Sequence, residues 1–168
     1  MEKYMLRVTL LCLFIFTSLF AEDAEEFPFI GVTVTTQSID IKNASNQNET
    51  AIGIRYGRQT VDWRTMFSVE FGKHSYKMFA MEIDKILMDD IMGMPEFRPY
   101  LGLSVGSIHF EDNALTDSNG YFYGLNAGLI IYATDNIDAD LSYHYHKVKS
   151  FEDIDTLKGG TFSLHYFY

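Results

Sequence analysis

The chain has almost no cysteine. Its single thiol, Cys12, sits in the first 21 residues, so a mature chain that has lost that segment can form no disulfide and carry out no thiol chemistry. Basic residues are also scarce, 13 Lys and Arg against 23 Asp and Glu, a net charge of −10. A basic nucleic-acid-binding surface is therefore excluded. After Phe20 no uncharged apolar run approaches the roughly 20 residues of a spanning helix, which argues against a helical inner-membrane protein.

The amino terminus has an order of its own. Lys3 and Arg7 precede an uncharged run from Val8 to Phe20, then come Ala21 and the acidic stretch Glu22-Asp23-Ala24-Glu25-Glu26. A short cationic segment, about a dozen apolar residues and a small residue describe a secretory signal peptide over 1–21. Leu19 is larger than the residue usual three positions before a cut, and Leu11 ahead of Cys12 argues against a lipoprotein. Residues 22–168 are expected to form one domain with a net charge of −11.

What that domain has in abundance is alternation. In the closing stretch Phe162, Leu164, Tyr166 and Tyr168 share one side, while Thr161, Ser163 and His165 share the other. That is a strand with one apolar face. The same period of two recurs near 28–37, 51–58, 63–72, 98–109, 120–132 and 137–147. Trp63, Thr65, Phe67, Val69 and Phe71 set against Arg64, Met66, Ser68, Glu70 and Gly72 show it best. The stretch 77–94 reads two ways: Phe79, Met81 and Ile83 alternate as in a strand followed by a turn, yet Phe79, Ile83, Ile86, Leu87 and Ile91 also recur at helical spacing. Counted as a strand, it brings the total to eight. Polar loops are expected near 38–50, 110–119 and 148–158.

Which face meets the core is decided by residue size. The apolar face is bulky, and the opposite face is mostly Gly, Ser, Thr, Asn or charged. An eight-stranded barrel encloses little more than interlocked side chains, so the small and polar set is expected inside and the bulky set outside, against lipid. A water-soluble β-protein would reverse the sense. Arg55, Arg64, Glu70, Glu82, Asp84, Asp138 and Asp140 fall on the expected inner face, whereas Lys85 and Lys147 on the other lie near strand ends, where a long side chain reaches the interface. Aromatic residues fall at two levels. Phe29, Tyr56, Trp63, Tyr100, Tyr132 and Tyr168 mark one end, and Phe71, Tyr121, Tyr123, Tyr143, Tyr145 and Phe162 the other. Trp63, Tyr100, Tyr132, Tyr143 and Tyr168 are the expected interface anchors.

Pro99-Tyr100-Leu101-Gly102-Leu103-Ser104-Val105-Gly106, Tyr123-Gly124-Leu125-Asn126-Ala127-Gly128 and Thr134-Asp135-Asn136-Ile137-Asp138-Ala139-Asp140-Leu141-Ser142-Tyr143-His144-Tyr145 together resemble the second half of small bacterial outer-membrane barrels of the OmpA-like and opacity-protein type. The resemblance covers residues 97–168 and implies an all-β, eight-stranded, antiparallel up-and-down transmembrane barrel in the outer membrane of a Gram-negative cell. Outer-membrane lipids and lipopolysaccharide would surround it. Tyr168 looks like the terminal signal such barrels present to the outer-membrane assembly machinery.

Three constellations carry some chemistry. His144 and His146 share one strand face and could share a metal, but no third ligand is fixed, so a luminal hydrogen-bond network is the expectation. Ser163, His165 and Asp140 are the inventory of a hydrolytic triad. Some outer-membrane barrels that modify lipid A use Ser, His and Glu, yet their pattern does not match here. Gly102 with Gly106, and Gly124 with Gly128, read as inner-wall glycines leaving room for side chains from across the barrel. The expected function is non-enzymatic and free of cofactors: a structural or surface-contact role through the long loops, with a narrow channel or a lipid-modifying enzyme as alternatives and any extracellular ligand left open.

Overall fold

The computed structural model describes residues 25–41, 46–73, 76–87, 93–110, 119–150 and 154–168. Eight strands follow one another: β1 (Phe27–Ile41), β2 (Gln47–Gln59), β3 (Trp63–Gly72), β4 (Lys77–Ile86), β5 (Phe97–His109), β6 (Asn119–Thr134), β7 (Ile137–Lys149) and β8 (Ile154–Phe167). Each pairs antiparallel with the next, and β1 pairs with β8, so the sheet closes into an up-and-down barrel. Closure leaves no sheet edge, which is what a β-structure in lipid requires. Both described chain ends lie at one end of the barrel, called here the terminal end; the other is the distal end.

The stretch with two readings, Lys77–Ile86, is a strand, in register with β3 (Val69 opposite Phe79) and with β5 (Met81 opposite Val105). Pairing on both sides overrides the local helical spacing. Residues 88–92, the rest of that ambiguous stretch, lie outside the described residues, as do the proposed signal peptide and residues 111–118 of the expected second loop. The other two loops are shorter than expected. β1 runs on to Ile41 and β2 begins at Gln47, while β8 begins at Ile154. Polar residues there continue the ladder, as in Gln37 opposite Glu49 and Ser38 opposite Lys158. Ladder bonds do not discriminate against polar side chains at the end of a sheet.

The outward face is apolar between its ends. Val32, Ile54, Phe67, Leu103, Leu125, Leu141 and Leu164 are exposed around the whole circumference. A water-soluble protein rarely shows contiguous apolar surface beyond a few hundred Å². Among the described strand residues outward charges appear only near strand ends, Arg58 and Lys85 at the terminal end and Asp40, Lys77, Lys147, Lys149, Asp155 and Lys158 at the distal end. Trp63, Tyr143 and Tyr168 present exposed rings on this face.

Candidate functional site in the barrel lumen

The interior is stacked in three layers. The distal layer is apolar: Ile39, Tyr76, Met78, Ile108, Phe110, Phe122, Val148, Ile154 and Leu157 form one buried cluster. The terminal layer holds Ile86, Tyr100 and Ile130, with Tyr132 packed against them, and Phe29 beside them on β1. Most buried charges occupy the middle, while Gln37 and Glu49 reach into the distal end and Gln59, Asp138 and His165 into the terminal end.

The hub of the middle layer is Arg64, fully buried on β3. Its Nε donates to Asp84 Oδ2 on β4 at 2.9 Å and its Nη2 to Asp140 Oδ2 on β7 at 2.7 Å. The guanidinium lies over the Tyr100 ring, 4.4 Å from the centroid, and the Tyr100 hydroxyl donates to Asp140 Oδ1 at 3.1 Å. Arg suits this place because its planar fork serves two carboxylates at once while its face stacks on a ring. Asn126 Nδ2 donates to Asp84 Oδ1 at 2.7 Å and to Glu82 Oε2 at 2.9 Å. Arg55 stands farther off, 3.7 Å from Glu82 and 4.0 Å from Asp140. Thr35 donates to Glu70 Oε1 at 3.1 Å. The structure therefore brings Arg55, Arg64, Glu82, Asp84 and Asp140 into one contiguous cluster, with Glu70 beside it on the Thr35 side.

His144 and His146 belong to a second chain of contacts. Their rings stack 4.6 Å apart, and His146 stacks in turn on Phe122 at 4.6 Å. The Nε2 atom of His144 is paired with Gln37 Oε1 at 3.2 Å, and that of His146 with Ser104 Oγ at 2.7 Å. Gln37 goes on to donate to the Tyr76 hydroxyl at 2.6 Å. No group of three or more His, Cys, Asp or Glu converges to hold a metal among the described residues. Asp138 pairs with His165 Nδ1 at 2.7 Å.

The triad inventory does not assemble. Ser163 donates to Thr33 Oγ1 at 2.9 Å, His165 is engaged by Asp138, and Asp140 by Arg64 and Tyr100. A nucleophile needs its base within hydrogen-bond reach, and Ser163 and His165 share no hydrogen bond.

Two expected anchors point the wrong way. Tyr100 is buried in the lumen, because it stands on the face of β5 shared by Gly102 and Ser104 rather than that of Leu101 and Leu103. Tyr132 is turned inward, its hydroxyl accepting from Gln59 Nε2 at 2.7 Å, where the register between β6 and β7 shifts at Tyr132 and Thr134. Phe29 is likewise internal, against His165 at 4.7 Å. Height along the barrel does not decide where an aromatic ring points; the parity of its strand does.

The inner-wall glycines serve neighbouring strands rather than the far wall. A Cβ on Gly102 would collide with Asp84 and Asn126, its partners on β4 and β6, and one on Gly128 would lie 2.6 Å from the Tyr100 ring. Gly128→Val is expected to push Tyr100 off Arg64 and to destabilise the barrel by about 1–3 kcal/mol, the usual cost of overpacking. Urea unfolding in phospholipid vesicles measures it; an unchanged midpoint would mean that the ring has somewhere else to go.

No known protein family matches the sequence, and no curated protein does. Solved structures do match in fold. Neisserial surface protein A is 16% identical over 88% of this chain and the whole of its own, with a TM-score of 0.60. The N-terminal β-barrel domain of Pseudomonas aeruginosa OprF is 14% identical over 86% of this chain and the whole of its own, with a TM-score of 0.57. Ail, the attachment invasion locus protein of Yersinia pestis, is 16% identical over 88% of this chain and the whole of its own, with a TM-score of 0.53. The chain thus has the fold of the small eight-stranded outer-membrane barrels.

Proposed function

We propose that this protein is a non-enzymatic integral barrel of a Gram-negative outer membrane, with residues 1–21 as a cleaved Sec-type leader and 22–168 as the barrel. Its role is structural or surface contact through the distal connections. The observation that carries the reading is the pairing of an uncharged apolar belt outside with a filled lumen inside. The terminal end faces the periplasm: two of its three connections, Thr60–Asp62 and Asp135–Asn136, are the short turns usual on that side, whereas the third, 87–96, is long and the distal β3–β4 connection is short. Trp63, Tyr143 and Tyr168 settle at the two interfaces, among outer-membrane phospholipid and lipopolysaccharide. Before folding, Tyr168 is the residue offered to the assembly machinery. The luminal cluster serves to hold the wall closed.

The protein is expected in the outer-membrane fraction, extractable only with detergent, and its gel mobility should change on boiling. Recovery as a soluble periplasmic product without detergent would overturn the reading. The channel alternative makes the opposite prediction in a planar bilayer. With the lumen filled by packed side chains, the folded protein should leave the bilayer silent; reproducible single-channel steps from pure protein would favour a pore.

A further inference from the structure

On the outer wall, a groove of about 610 Å³ lies near the terminal rim and is lined by β2, β3 and β4. Its place follows from the register. Tyr56, Phe67 and Met81 stand side by side in one outward row, and Arg58 faces Thr65 in the row nearer the rim. Thr65 is short among long neighbours, so the wall is recessed there. Two charges of opposite sign mark the rim of the recess. Arg58 Nη1 donates to Glu26 Oε2 at 2.8 Å, the Tyr56 hydroxyl lies beside the guanidinium, and the two charged side chains are 61% and 30% exposed. An exposed pair of this kind holds together weakly. A guanidinium with five N–H groups is also not exhausted by one carboxylate oxygen.

We propose that this groove is a site for a membrane phospholipid with a zwitterionic ethanolamine head group, an inference that rests on the outer-membrane reading above. The open N–H groups of Arg58 take the phosphate, the primary ammonium donates to the Glu26 carboxylate, and the upper part of one acyl chain lies along Tyr56, Phe67 and Met81. The protein's own cation and anion thus meet the anion and cation of the head group. A choline head carries the same charges but has no N–H to give Glu26. A glycerol head lacks the cation and leaves Glu26 beside a phosphate. The volume lies within the roughly 300–1,000 Å³ of ligand clefts, so the groove takes the head group and part of one chain while the rest of the lipid stays in the bilayer.

The test uses the mature chain folded in phosphatidylcholine nanodiscs, to which ethanolamine, choline or glycerol phospholipid, each brominated near the top of one acyl chain, is added at the same low mole fraction. Trp63, the only tryptophan, stands two residues from Thr65 on the same face of β3, and its quenching reads occupancy. The ethanolamine lipid is expected to associate about threefold more tightly than the choline lipid, the scale of one exposed charge pair. Glu26→Gln should erase that preference and raise the glycerol lipid. Arg58→Gln should drop the glycerol lipid below the choline lipid, since only the carboxylate then remains. Boiling-dependent gel mobility checks that each variant is folded, and should one not fold, the three lipids on the unaltered protein still decide. Equal quenching by the ethanolamine and choline lipids, or an unchanged preference in folded Glu26→Gln, overturns the site and leaves the barrel in its membrane. No quenching by any of the three lipids overturns the membrane reading together with the site.

Discussion

Arg64→Met lowers the unfolding free energy of the barrel by about 3–5 kcal/mol, the range found when one member of a buried charge pair is removed. Three facts set the direction. Arg64, Asp84 and Asp140 are all fully buried, the two ion pairs are 2.9 and 2.7 Å long, and the Tyr100 ring loses the cation stacked on it. Methionine keeps only the unbranched apolar stem of the side chain and leaves the Asp84 and Asp140 carboxylates without their shared cation. The informative comparison is the triple variant Arg64→Met, Asp84→Asn, Asp140→Asn. With the charges gone together, most of the loss should be regained, because the large penalty belongs to the unpaired partners rather than to the missing pair. Urea unfolding in phospholipid vesicles, followed through the fluorescence of Trp63, the only tryptophan, gives both numbers. A single variant as stable as the parent would mean that water reaches the middle layer.

A charge placed on the other side of the same wall tests the opposite partition. Leu103 is 64% exposed in the middle of β5, opposite Ile83 on β4 and Leu125 on β6. In a bilayer, Leu103→Arg should cost about 2–4 kcal/mol, whereas the same change at Val61, exposed in a terminal turn, should cost at most about 1 kcal/mol. For a water-soluble barrel an arginine at such an exposed position would be close to neutral. The difference between the two sites in one lipid therefore separates the two solvents without reference to fractionation. Equal small effects at both positions would remove lipid from the account.

Much of this architecture is legible in the chain because a period of two leaves each strand only one way to face. Leu101, Leu103 and Val105 cannot be outside unless Gly102 and Ser104 are inside, and the charges of β2, β3, β4 and β7 follow by the same parity. Two things escaped that logic. An aromatic ring's height does not tell its face, so Tyr100 and Tyr132 look like anchors until their parity is followed. A polar inner face in the middle of the strands hides the apolar distal layer, although Met78, Ile108, Phe122 and Val148 stand on the inner parity of their strands. Alternation points Arg55 and Arg64 at the inner carboxylates in general, but it does not say which of them is met across the barrel. Arg64 and Asp140 are 76 positions apart and belong to strands that share no ladder. Only closure of the sheet sets that distance.

Arg64 stands on β3 and Asp140 on β7, and the seam that completes the ring joins β1 to β8. A sheet of β3 and β4 can form the Arg64–Asp84 pair early, but its inner face stays wet until β7 and β8 arrive. A half-built wall is thus a sheet with oil on one side and water on the other, and the charged layer remains hydrated throughout insertion. Dehydration of the lumen goes with the closing of the seam, and the desolvation of Arg55, Arg64, Glu70, Glu82, Asp84, Asp138 and Asp140 and of the imidazoles of His144, His146 and His165 is deferred to the moment when all their partners are present.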